Sequence, residues 1–289
     1  MPASDLVYRQ YDRSALDAEY DNVRKHPGFD FPAYLQRLSV LNQQACREYR
    51  RSLLQDLAYG SGPDEVLDLF RPNPGGPLHV FFHGGYWRML HKNDFSYVAL
   101  GVLPHKVNLA VVNYSLMPAV SMETLVGQCR RAIQYLFKHS AELDIDPEQV
   151  SVSGHSAGGH LAAMMAATAF ASSDARQDLT HVCALSGIFD LEPIQHCFLN
   201  DTLGLSESDV SLFSPVKLKR VHQGSMVLMT GAEEGDEYAR QAETLARAWS
   251  QPGSGPMVML PRGHDHFSLR EALSEPDSEV TRAILGHTH

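Results

Sequence analysis

Short β-rich runs separated by longer helical patterns are the feature that most limits how this chain folds. Candidate strands are Glu65–Phe70, Leu78–Phe82, Asn108–Asn113, Val150–Ser153, Val182–Ser186, Met226–Thr230 and Met257–Leu260. Several are continuously apolar rather than alternating, as strands buried on both faces of a sheet must be. Candidate helices lie between them at Met122–Ser140, Ser156–Ala171, Glu237–Ser250 and Glu279–Leu285. Such alternation implies right-handed crossovers and a mostly parallel sheet with helices on both faces. Residues 14–58 read as helical and charged, with breakers confined to His26, Pro27 and Gly28. Pro72 to Pro77 form a loop too short to link domains, and no internal repeat or second composition regime is visible. The expectation is one α/β domain over residues 1–289, in which residues 1–58 are a helical extension placed to cap a site.

The sharpest local signal is Val150-Ser151-Val152-Ser153 running directly into Gly154-His155-Ser156-Ala157-Gly158. A Gly-x-Ser-x-Gly turn between a strand and an apolar helix presents its serine at the sheet edge, on a bend too sharp for side chains at the flanking positions. The following helix sets its positive end beside that serine. Ser156 is therefore the candidate nucleophile.

A second turn points the same way. Leu78–Phe82 is followed by His83-Gly84-Gly85-Tyr86-Trp87. A His-Gly-Gly turn after a strand, upstream of such a serine, is where esterase-type α/β-hydrolases place oxyanion-hole N–H groups. Glycine lets the backbone approach the oxyanion closely. The expected donors are Gly85, Tyr86 and Ala157, with Gly84 shaping the turn. Tyr86 and Trp87, with Phe95 and Tyr97 beyond them, are candidates to line an acyl or aryl pocket, though aromatics near a strand end are as often core.

In this fold the order is serine, acid, histidine. After the last strand come Gly263-His264-Asp265-His266-Phe267, and His266, next to a helix start at Ser268, is favoured over His264 as the base. After Met226–Thr230 the carboxylates Glu233, Glu234, Asp236 and Glu237 crowd one loop. Counting Gly-x-x-acid from Gly231 lands on Glu234, with Asp236 as runner-up. His155 and His160 flank the serine without a carboxylate at ligand spacing, so no metal site is expected. Asp17, Glu19 and Asp21 read as a solvated helix face, and the remaining histidines, including His287 and His289, as exposed or packed.

Composition excludes whole classes. With 24 Lys+Arg against 34 Asp+Glu and a formal charge of −10, the chain lacks the basic patch of a nucleic-acid binder and the polybasic run of a membrane-surface protein. The polar start MPASDLVYRQYDRS has no signal-peptide core, and the apolar stretch Leu161–Ala171 is too short to span a bilayer. Four scattered cysteines, Cys46, Cys129, Cys183 and Cys197, show neither zinc spacing nor a disulfide framework, which points to a cytoplasmic location.

Taken together, HGGYW (His83–Trp87) and GHSAGGHL (Gly154–Leu161) resemble the kynurenine formamidase (arylformamidase) branch of the α/β-hydrolase superfamily, close to the hormone-sensitive-lipase-like esterases. YGSGPDEVLDLFRP (Tyr59–Pro72), LSGIFDLEPI (Leu185–Ile194), DEYARQ (Asp236–Gln241) and GHDHF (Gly263–Phe267) fit the same branch, so the resemblance runs from about residue 14 onward. It implies an α/β-hydrolase fold and a serine hydrolase that needs no cofactor. Its substrate would be a small aryl formamide such as N-formylkynurenine, or alternatively a carboxylester or another amide, imide or carbamate. A homodimer is compatible with this reading. The family's acid is more often Asp, a few residues before a Glu-aromatic pair that looks like Glu237-Tyr238, and this spacing again points to Glu234. A non-catalytic hydrolase-fold binding protein is disfavoured, because nucleophile, base, acid candidates and glycine turn are all present.

Overall fold

A strand whose every side chain is apolar gains from burial on both faces, and the central runs of this chain do so. In the computed structural model, which describes residues 6–170 and 178–287, these runs form one eight-stranded sheet. An N-terminal hairpin, β1 (Leu6–Tyr8) and β2 (Tyr11–Asp12), precedes it. The sheet comprises β3 (Leu53–Ala58), β4 (Val66–Phe70), β5 (Gly76–Phe82), β6 (Asn108–Val112), β7 (Ile145–His155), β8 (His181–Leu185), β9 (Ser225–Met229) and β10 (Met257–Met259). Its order is β10-β9-β8-β7-β5-β6-β4-β3. The strands from β10 to β6 in that order pair in parallel. By contrast, β4 runs antiparallel to both β6 and β3.

Alternate residues of each strand feed two cores. Val80, Ala110, Val152, Ala184 and Leu228 pack on one face beneath the helices Met122–Lys138, Ala157–Ala166 and Asp236–Trp249. Phe81, Val111, Cys183 and Val227 pack on the other, under Phe31–Glu48, Val98–Val102 and Glu279–Ile284. This is the α/β-hydrolase fold, with a mostly parallel sheet and helices on both faces. Polar residues within the strands satisfy one another: the buried ring of His79 bonds the hydroxyls of Ser151 (2.8 Å) and Ser153 (2.6 Å).

Residues 14–58 are not helical throughout. Helices cover Arg13–Tyr20 and Phe31–Glu48, each started by an aspartate, Asp12 and Asp30, whose carboxylate accepts an N–H of the first turn. The end of the segment is strand β3, which carries a bulge around Asp56 (φ +53°). There the Asp56 N–H donates to Asp68 (2.9 Å), and the Lys92 ammonium bridges Asp68 (2.7 Å) and Asp56 (2.8 Å). Pairing with β4 therefore overrides a local pattern that reads as helix. Nor are Asp17 and Glu19 merely solvated: Asp17 accepts the Phe198 N–H at 2.7 Å, and Glu19 pairs with Lys25 at 3.7 Å.

The helix expected over Ser156–Ala171 is shorter, closing at Ala166, and Ala171 and His289 lie outside the described residues. No helix among the described residues is long and apolar enough to cross a membrane.

Candidate active site

The carboxyl ends of β5 and β7 and the segment that follows β10 meet at one cavity of about 310 Å³. Its wall includes Gly84, Gly85, Tyr86, His155, Ser156, His266 and Arg270. Ser156 directly follows β7 at φ 59°, ψ −120° and opens the helix Ala157–Ala166. Such a conformation is strained for a residue with a side chain, and it persists because the surroundings dictate it. The Ser156 N–H donates to Leu185 O at 2.8 Å. A β-carbon on Gly158 would stand 2.0 Å from Phe82 O, so the helix can start this close to β5 only on glycine.

The turn after β5 approaches the same serine. A β-carbon on Gly84 would lie 3.2 Å from Ser156 Cβ. Gly85 adopts φ +113°, and Tyr86 (+48°) and Trp87 (+58°) continue in the left-handed region. His83 holds the turn from behind. Its ring stacks on Tyr114 at 4.1 Å, and Tyr114 Oη donates to His83 O at 2.6 Å. Ala157 is buried at the first helical position, where a backbone N–H has no partner within the helix.

His266 begins the helix His266–Glu271, which Asp265 caps. Its Nδ1–H donates to Glu234 Oε2 at 2.6 Å, which leaves Nε2 as the proton-accepting nitrogen. The other oxygen, Glu234 Oε1, accepts Ser186 Oγ–H (2.6 Å) and the Gly231 N–H (2.7 Å). The carboxylate is 1% exposed, whereas Asp236 and Glu233 are exposed. Glu237 is buried but held by Arg240 (2.8 Å) and Tyr20 (2.9 Å). His264 turns away, toward Glu279 at 3.7 Å. His155 lies with its ring 4.5 Å from that of His266; burial, with His266 and Arg270 nearby, lowers its pKa well below the ordinary value, so it stays neutral.

Two aromatic expectations need correcting. Trp87 does not reach the cavity: it is fully buried in the core, where Nε1–H donates to His160 Nδ1 at 3.1 Å. That contact, with His160 Nε2–H donating to Phe213 O at 2.8 Å, uses both His160 nitrogens. Tyr97 is likewise core, while Tyr86 and Phe95 do line the cavity. Sequence reasoning expected the N-terminal extension to cap a site but named none of its residues as part of one. Tyr20, Asp21, Asn22, Val23 and Phe31 form part of the wall. Asn22 Nδ2 donates to Tyr86 Oη (3.0 Å) and Tyr238 Oη (2.9 Å), and Phe29 stacks on Phe267 at 4.2 Å. It also missed Arg270, which no motif marks, and gave no role to Ser186, which lies within LSGIFDLEPI.

The sequence model of the BD-FAE family matches residues 67–219, more than half of the chain. The chain belongs to the BD-FAE family. Within the α/β-hydrolases this BD-FAE member falls in the kynurenine-formamidase-like branch. It is 27% identical to the kynurenine formamidase of Danio rerio, over 96% of this chain and 97% of that protein. It is 29% identical to the Salmo salar kynurenine formamidase, over 82% of this chain and 84% of that protein. A Pyrobaculum calidifontis esterase shares the fold at TM-score 0.69 and 15% identity, covering 92% of this chain and 95% of the other.

Proposed function

We propose that the chain is a serine hydrolase that cleaves a small aryl formamide through an acyl-enzyme. The observation that carries this reading is the buried 2.6 Å contact between Glu234 and His266, the latter in the wall shared with Ser156. Glu234 fixes the tautomer of His266 and stabilises its imidazolium. His266 takes the Ser156 proton as the oxygen attacks the carbonyl, and N–H groups of Gly85, Tyr86 and Ala157 receive the oxyanion. One such donor is worth about 3 kcal/mol of barrier. His266 then protonates the leaving arylamine, and water releases formate from Ser156. The segment from Tyr20 to Phe31 acts as a cap over the leaving group, and the four unpaired cysteines support a cytoplasmic location.

A carboxylesterase is the second reading, favoured by 30% identity to the Mycobacterium tuberculosis esterase LipQ over 54% of this chain and 39% of that protein. The deciding experiment is kcat/KM for N-formyl-L-kynurenine beside a short-chain para-nitrophenyl ester, on wild type and Ser156→Ala. Preference for the formamide, abolished in the variant, supports the first reading. Serine-dependent ester turnover without formamide turnover supports the second, and activity that survives Ser156→Ala refutes both.

A further inference from the structure

Among the described residues, Arg270 is a buried cation without a counter-ion in contact. It is 3% exposed and stands in the wall of the cavity that holds Ser156 and His266. Its guanidinium lies over the Phe95 ring, 4.1 Å from the centroid. Nε donates to Tyr97 Oη at 3.1 Å, and Nη2 donates to Asp94 O at 3.2 Å. Nη1 has no hydrogen-bond partner among the described residues, and no carboxylate oxygen there lies within 4.0 Å of the guanidinium. The other fixed charges of the wall, Asp21 and Arg88, are partly exposed.

An arginine cannot shed its proton to escape burial, and an unpaired buried charge is costly. Its planar fork matches a carboxylate. We propose that Arg270 binds a carboxylate on the leaving-group portion of the substrate, so that the enzyme selects anionic aryl amides or esters. Position argues for the leaving-group side. Arg270 follows His266 by one turn of the same helix, on the side where the leaving group is protonated, whereas the acyl oxygen belongs to the Gly84–Tyr86 turn. Phe31, Phe95 and Phe267 supply an aromatic wall beside it. The inference rests on the Ser156 hydrolase reading.

The test compares two matched pairs, para-acetoxybenzoate with para-acetoxybenzamide and ortho-formamidobenzoate with ortho-formamidobenzamide. In wild type, kcat/KM should favour the anion about ten- to a hundredfold, chiefly through KM. Arg270→Gln should bring the ratio close to one, while Arg270→Lys keeps part of it. A purely structural role would lower both members of a pair alike. A wild-type ratio near one, or an unchanged ratio in Arg270→Gln, overturns the proposal. If Arg270→Gln does not fold, the wild-type and Arg270→Lys ratios decide. Turnover that survives Ser156→Ala removes the serine reading itself, whereas a ratio near one in Ser156-dependent turnover removes only the role of Arg270.

Discussion

Glu234 meets His266 through one oxygen at 2.6 Å while its other oxygen is held by Ser186 and Gly231. The carboxylate cannot rotate without losing three hydrogen bonds at once. Glu234→Gln keeps the shape but loses the charge and can present an N–H to His266, which favours the wrong tautomer. We expect kcat to fall about 10³- to 10⁴-fold with little change in KM. Asp236→Asn, at an exposed position, should leave kcat within about twofold, because surface changes rarely reach a site. Steady-state kinetics on both variants check the assignment, and the reverse order would move the acid to Asp236.

Asn22 Oδ1 is buried without a hydrogen-bond partner among the described residues, although it belongs to a residue that lines the cavity. A substrate N–H would satisfy it. Asn22→Ala should therefore raise KM about fivefold or more for a formamide, which carries such a donor, and less for an ester of the same aryl group. Equal effects on the two substrates would confine Asn22 to holding Tyr86 and Tyr238.

The interior strands are legible because burial on both faces leaves uninterrupted apolar runs such as Leu109–Val112 and Val182–Leu185. Strand β3 is not, because it lies at the sheet edge with most of its residues exposed, so no apolar period marks it. The Gly-x-Ser-x-Gly turn is legible since its glycines answer a local steric demand. Arg270 is hidden for the opposite reason: an arginine on a helix reads as solvated, and only the tertiary placement of Phe95 and Tyr97 over it reveals a buried cation. Asn22 reaches the cavity from more than a hundred residues before Ser156, a distance that no local pattern encodes.

Glycine substitutions separate a steric requirement from a flexible residue. Gly158→Ala would place a methyl 2.0 Å from Phe82 O, a main-chain atom that cannot swing aside. We expect a loss of about 3 kcal/mol or more, with activity lost as the serine turn shifts. A β-carbon on Gly127, inside the helix Met122–Lys138, would meet, among the described residues, only the end of Arg131 at 3.5 Å. Gly127→Ala should stabilise the protein by about 0.5–1 kcal/mol. Urea denaturation of both variants measures the contrast.

His79 sets part of the response to acid. Burial lowers its pKa from 6.5 to about 3. Below pH 6.5 the unfolded chain takes up a proton that the folded protein refuses until about pH 3, so stability is full above that window and declines as pH falls through it. The slope from one such histidine is at most about 1.4 kcal/mol per pH unit. His79→Gln keeps a polar group between Ser151 and Ser153 but cannot titrate, so its unfolding free energy should fall less steeply with acid, by up to that amount. Urea denaturation at a series of pH values measures the two slopes. Equal slopes would mean that the folded protein admits a proton at His79, and that the hydroxyl pair does not seal the ring from water.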